Sequence, residues 1–228
     1  MGAHMIGRRR LKTTKIGLLW DMDGTIVDTK QAHFEAWRDA VKSFGYNLDW
    51  ETFEVGFGRT NRAILPIYIG FEPDQSLADE IIKVKERMFR EIALESATLV
   101  PGVESWLEKA KESGWAQAIA SSAPIDNIHA LMDHFEIRKY FDLIVSGANL
   151  PAKPEPDVFL QAAQQFDQDI SQFVVIEDSV AGVQAGKSAG MLCIAVATHL
   201  KQSELAQADV VIDDFRKPMK EVLSALGL

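Results

Sequence analysis

Short, continuously apolar runs alternate with longer amphipathic stretches along most of this chain, and that rhythm limits the folds open to it. The runs are Ile16–Trp20, Ala116–Ala120, Leu143–Ser146, Phe173–Ile176, Leu192–Ala197 and Val210–Ile212. A run that is apolar at every position fits a parallel strand covered on both faces. Between them, Val103–Ser113, Asp126–His134, Pro156–Phe166, Ser179–Ala189 and Lys217–Ala225 carry helical patterns, and Gly114 and Gly190 stop two of these. Strand, helix, strand repeated in this way predicts an α/β protein with a doubly wound, mostly parallel, Rossmann-like sheet.

One region breaks the rhythm. From Lys30 to Ala97 the pattern is helical throughout, with helices expected over His33–Phe44, Ala63–Ile69 and Leu77–Leu94 and a stop at Gly45. The chain is therefore expected to make one strand, leave for an all-helical insert, and return to finish the sheet. Residues 14–29 and 98–228 form the expected core, and residues 30–97 the insert. Two sequential domains are the alternative. A lone first strand, however, needs neighbours from the later sheet.

Composition narrows the partners. The chain of 228 residues has a formal net charge of -9. An acidic surface argues against nucleic acid and anionic membranes, so an anionic substrate must be drawn in by a local cationic site. The single cysteine, Cys193, lies in an apolar run and reads as a small core residue. It forms no intrachain disulfide and fits a reducing compartment, hence an expected cytoplasmic location. No stretch approaches the roughly 18 apolar residues of a membrane span. Residues 1–13 read as a tag-like start, with no apolar segment of signal-peptide type, and stay outside the fold argument.

Four groups of polar residues fall at predicted strand ends, where open parallel sheets bind ligands. Asp21-Met22-Asp23-Gly24-Thr25 follows the first strand. Two carboxylates so close are costly to ionise without a cation, although a capped turn explains them as well. Glu177-Asp178-Ser179 follows the strand ending at Ile176. If these two strands are neighbours, Asp21, Asp23 and Asp178 converge into an oxygen-rich cluster that suits magnesium. The alternative is that Asp178 or Ser179 only caps the next helix. Ser121 and Ser122 stand before a helix N-terminus, a seat for phosphate or a simple cap. Lys153 sits among Pro151, Pro154 and Pro156 in a stiff loop, where a fixed ammonium neutralises phosphate charge. A solvated loop lysine is the commoner reading, but all four groups share one edge of one sheet.

Asp21-x-Asp23-Gly24-Thr25, Ser121, Lys153 and Glu177-Asp178 resemble, in order, the four motifs of the haloacid dehalogenase superfamily. Trp20 to Thr29, His33, Ala36-Trp37 and Val175 to Gly186 are similar to its β-phosphoglucomutase-like branch, which carries a helical cap after the first motif. The resemblance implies Asp21 as nucleophile, forming an aspartyl phosphate, and Asp23 as general acid and base. It implies magnesium on Asp21, on the Asp23 backbone carbonyl and on Asp178, with Glu177 behind them or acting through water. Ser121, Ser122, Thr25 and Lys153 would hold phosphoryl oxygens. His33 would stand near the nucleophile and the cap hinge, placing Asp23 or packing the hinge. Asp23 also favours phosphoryl transfer, because the chloride-removing members lack its equivalent.

The chain departs from the mutase pattern. β-Phosphoglucomutase holds a second phosphate with a Ser-Lys-Asn group after the motif-two serine, whereas this chain has Ala123-Pro124-Ile125. The cap offers Arg59, Asn61 and Arg62 between two predicted helices, either for a substrate anion or as solvated surface. The expectation is a magnesium-dependent phosphatase acting on a small phosphorylated metabolite, as a monomer or weak homo-oligomer. A sugar-phosphate mutase is the alternative, and a non-catalytic metal- or anion-binding relative the lower one. Gly186-Lys187-Ser188 is no nucleotide loop, since Ala181 stands where the first glycine belongs.

Overall fold

The computed structural model describes residues 16–228; the tag-like start and residues 14 and 15 of the expected core lie outside the described residues. In chain order the core begins with β1 (Gly17–Trp20) and the short β2 (Val27–Asp28). Four helices follow: α1 (Lys30–Ser43), α2 (Trp50–Gly56), α3 (Asn61–Ile69) and α4 (Gln75–Ser96). The chain returns through β3 (Thr98–Leu99), then α5 (Val103–Glu112), β4 (Ala116–Ser121), α6 (Ile125–His134) and β5 (Leu143–Ser146). It closes with α7 (Asp157–Ala163), β6 (Phe173–Glu177), α8 (Val180–Ser188), β7 (Leu192–Val196), β8 (Val210–Ile212) and α9 (Met219–Ala225).

Six strands form one parallel sheet in the order β5-β4-β1-β6-β7-β8. The first strand among the described residues is thus interior, with β4 on one side and β6 on the other. Its side chains alternate between two cores. Leu18 and Trp20 pack with α5, α6 and α9, while Leu19 packs with α7 and α8. This explains the absence of polar positions: both faces are covered by helices. The buried Trp20 indole donates to Gln117 Oε1 at 3.2 Å, and the Gln117 amide donates to the Leu107 and Tyr140 carbonyls. A buried amide so placed is itself satisfied and satisfies the Trp20 indole beside it.

The helical cap has a core of its own, built on Trp37, Phe53, Leu65, Tyr68 and Ile81. The chain leaves and re-enters the sheet side by side, since β2 and β3 pair antiparallel with Val27 opposite Leu99 and Asp28 opposite Thr98. His199, in the loop after β7, lies 2.9 Å from Asp28 and sets its ring edge-on to Phe57 of the cap. Helix ends differ from the sequence reading. α1 begins at Lys30, not His33, because the His33 amide already donates to the Thr29 carbonyl at 2.9 Å and so closes the first turn; α7 ends at Ala163, short of Phe166. α2 was not expected. It is capped by the Asp49 side chain, which accepts from the Thr52 amide. Among the described residues no helix is long and apolar enough to cross a membrane.

Candidate active site

The Asp21 amide donates to the Ile176 carbonyl at 2.9 Å, so the ladder carries Asp21 one residue past the end of β1. The chain then turns tightly: the amides of Ile26 and Val27 both donate to the Met22 carbonyl. Gly24 sits in this turn with φ of 80°, in the left-handed region. A side chain there is also excluded by space, since a Cβ would lie 2.0 Å from Asp178 Oδ2. The glycine is what lets Asp178 approach the first motif.

The ends of β1 and β6 are neighbours, so Asp21, Glu177 and Asp178 meet; each offers a carboxylate oxygen within 4.8 Å of the others. Lys153 reaches in from the loop before α7 and donates to Asp21 Oδ1 at 2.5 Å and to Glu177 Oε1 at 2.6 Å. The other Glu177 oxygen accepts from the amides of Asp178 and Ser179 and from the Ser179 hydroxyl, each at 2.9 Å. Glu177 is therefore held as an anchor for Lys153, with its oxygens already engaged. Gly182 makes room for it, because a Cβ there would fall 1.9 Å from Glu177 Oε1.

Asp23 belongs to a second network. Its Oδ1 accepts from the Thr29 hydroxyl at 2.7 Å and lies 3.3 Å from His33 Nε2. The His33 ring stacks on Phe89 of α4, with centroids 4.0 Å apart. Burial and the charge of Lys85 lower the His33 pKa. The ring is neutral at neutral pH, and Nε2, facing an acceptor-only carboxylate, carries the hydrogen. Burial works to raise Asp23, but the bonds from His33 and Thr29 and the Lys85 charge outweigh it and hold the carboxyl below its ordinary value.

The remaining predicted residues divide. Ser121 ends β4, is buried, and accepts from the Ala123 amide at 3.1 Å. Ser122 next to it is exposed. Thr25, expected among the phosphate donors, is fully buried and donates instead to Asp178 Oδ1 at 3.3 Å. It braces a carboxylate because Gly24 brings Asp178 against it. Asn61, expected to face substrate, donates to Glu86 at 2.7 Å. Arg62 points to the surface and pairs with Asp79, and Arg59 is exposed. Sequence reasoning passed over Thr29, Lys85, Glu86, Phe89 and Asn127, of which Lys85, Glu86 and Phe89 are buried on α4.

Burial, offset in part by Lys153, pushes the Asp21 carboxyl up to about 7. Burial and the charges of Glu177 and Asp21 push Asp178 well up. Burial would lower Lys153, yet Asp21 and Glu177 outweigh it and raise its pKa. Were all three carboxyls ionised, the one ammonium would leave two negative charges uncompensated, and that repulsion is part of what raises Asp21 and Asp178. Oxygen donors of this kind, on Asp21, Glu177 and Asp178, fit a hard divalent cation.

A sheet of this order, a helical cap and a strand-end carboxylate cluster beside a half-buried lysine define a hydrolase class. The profile of the haloacid dehalogenase-like hydrolases matches residues 18–196, and the chain belongs to that family. It is a phosphohydrolase of the branch that holds phosphatases and phosphoglucomutase-like enzymes. The phosphorylated carbohydrates phosphatase of Thermotoga maritima is 30% identical over 214 residues, covering 92% of this chain and 97% of that one. The fructose-1-phosphate phosphatase YqaB of Escherichia coli is 34% identical over 183 residues, covering 77% of this chain and 93% of that one. The solved structure of a CbbY variant from Rhodobacter sphaeroides, in complex with xylulose-(1,5)bisphosphate, matches with a TM-score of 0.81 at 26% identity, covering 90% of this chain and 96% of that one.

Proposed function

We propose that this chain hydrolyses a small carbohydrate phosphate through a phosphoryl group carried on Asp21, with magnesium bound by Asp21, Asp178 and the Asp23 backbone carbonyl. The observation that carries this reading is the separation of roles. Asp21 is engaged by Lys153, whereas Asp23 hangs from Thr29 and His33 in a network of its own. The names of the relatives support the carbohydrate phosphate.

The Asp21 oxygen not bonded to Lys153 attacks phosphorus while the ester P–O bond breaks. Asp23 gives its proton to the leaving oxygen. Water then attacks the aspartyl phosphate, loses its proton to Asp23, and frees phosphate and Asp21. The bonds from Thr29 and His33 favour the Asp23 carboxylate, which suits the second step. An entering phosphate adds negative charge, raises the Asp23 pKa and supplies the acid of the first. Lys153 and the Ser121 hydroxyl hold the phosphoryl oxygens. When bound, magnesium neutralises charge on the transferred group. We place the enzyme in the cytoplasm, as a monomer or weak homo-oligomer.

The test is phosphate release from a panel of phosphorylated metabolites with magnesium, including glucose 1-phosphate with a trace of its 1,6-bisphosphate. Release of inorganic phosphate supports the hydrolase. Conversion of glucose 1-phosphate to glucose 6-phosphate without release overturns it in favour of the mutase.

Metal binding has a second readout. A carboxyl with a raised folded-state pKa contributes stability that is present below its unfolded value and lost as pH rises through the folded one. For Asp21 that window runs from 3.8 to about 7. Magnesium, which needs the ionised form, is expected to raise Tm more at about pH 8 than at about pH 5. Equal shifts at both would speak against Asp21 as a ligand.

A further inference from the structure

Lys85 is 1% exposed, on the apolar stripe of α4. Its ammonium lies 5.4 Å from the Trp37 ring centroid and 5.0 Å from that of Phe89. Phe89 in turn stacks on His33, which bonds Asp23. One aromatic layer therefore separates this cap cation from the acid-base carboxylate. A buried ammonium requires a counter-charge, and Glu86 Oε1 supplies it at 2.9 Å.

Glu86 does more than pair. The same oxygen accepts from Asn61 at 2.7 Å, and its Oε2 accepts from Asn127 at 2.5 Å. Asn127 lies in the first turn of α6, just after the Ser121 loop, and its Oδ1 accepts from Arg90 of α4 at 2.9 Å. The carboxylate is thus fixed where cap meets core. Burial works to raise its pKa, but Lys85 and the two amide donors, Asn61 and Asn127, outweigh burial and keep Glu86 ionised.

We infer that Glu86 sets which esters this enzyme accepts: by neutralising Lys85 at the seam between cap and core, it admits substrates whose far end is uncharged and hydroxyl-rich and turns away those bearing a second phosphate. This rests on the phosphatase reading above. A second phosphate entering the seam meets a fixed carboxylate and finds the Lys85 charge already used. Hydroxyls, by contrast, can exchange hydrogen bonds with Asn61, Asn127 and Glu86 at no charge penalty.

The experiment compares a hexose monophosphate with the bisphosphate of the same hexose, using the magnesium-loaded chain. The native enzyme is expected to favour the monophosphate in kcat/KM and to bind the bisphosphate more weakly as a competitive inhibitor. Glu86→Gln frees Lys85 and is expected to move the ratio of kcat/KM toward the bisphosphate by about tenfold, mainly through KM. Adding Lys85→Met to Glu86→Gln is expected to cancel the gain. An unchanged ratio in a folded Glu86→Gln overturns the inference. So does a native enzyme that binds the bisphosphate as tightly as the monophosphate, a result that stands even if the variant fails to fold. If no ester releases phosphate, the phosphatase reading has failed, and calorimetric affinities of the same two esters still decide the role of Glu86.

Discussion

Asp21→Asn is expected to lower phosphate release by roughly four orders of magnitude while the protein stays folded. The amide has nearly the volume of the carboxylate and keeps an oxygen for the Lys153 ammonium, now 2.5 Å away. It has no nucleophilic oxygen, so no phosphoryl group can be carried. Melting temperature should change by only a few degrees, because a buried carboxyl already pushed up to about 7 gives little stability as an anion. Rapid-quench kinetics with the best ester of the panel will measure the loss. Residual turnover within tenfold of native would remove Asp21 from the nucleophile's role.

Lys153→Met is expected to damage stability and activity together. The ammonium is the shared partner of Asp21 and Glu177, and both carboxylates are buried. Breaking a buried pair while keeping its partners costs about 3–5 kcal/mol, and here two partners are stranded. In a chain of this size that lowers Tm by about 10 °C at neutral pH. The sign with pH follows from Asp21. Its raised pKa lets it take up a proton below about 7, so the Tm deficit should shrink on acidification. Activity should fall by roughly 10²- to 10³-fold through loss of charge on the phosphoryl oxygens. Thermal melts at several pH values and steady-state kinetics check both parts. A deficit that grows as pH falls would contradict the assignment.

The doubly wound sheet was legible because its strands are buried on both faces and therefore apolar throughout, as in Phe173–Ile176. The strand-end carboxylates were legible because each follows such a run directly. Other features left no comparable trace. β2 and β3 are two residues each, too short for a period to register. Thr25 carries a hydroxyl that suits phosphate, and only the approach of Asp178, permitted by Gly24, shows it bracing a carboxylate. Arg62 looked available until α4 brought Asp79 beside it. Lys85 and Glu86 read as ordinary charges on a long helix. A usable signal was nonetheless there: Ala78, Ile81, Lys85, Phe89 and Ala93 fall on one helical stripe. A lysine inside an apolar stripe is a buried cation in need of a partner, and its neighbour in sequence provides it.

The place of β1 in the sheet has a consequence for biosynthesis. Gly17 stands beside Ala116 on one side and Phe173 on the other. The ribosome delivers Leu18, Leu19 and Trp20 almost at once, but both flanking strands emerge much later. The cap, with its own apolar cluster, can condense in the interval. The opening strand cannot: it waits with both edges bare, the kind of segment that chaperones bind and aggregates recruit. A nascent chain released before Glu177 would carry that strand with an edge permanently open. Slow translation through the middle of the message would prolong the same exposure.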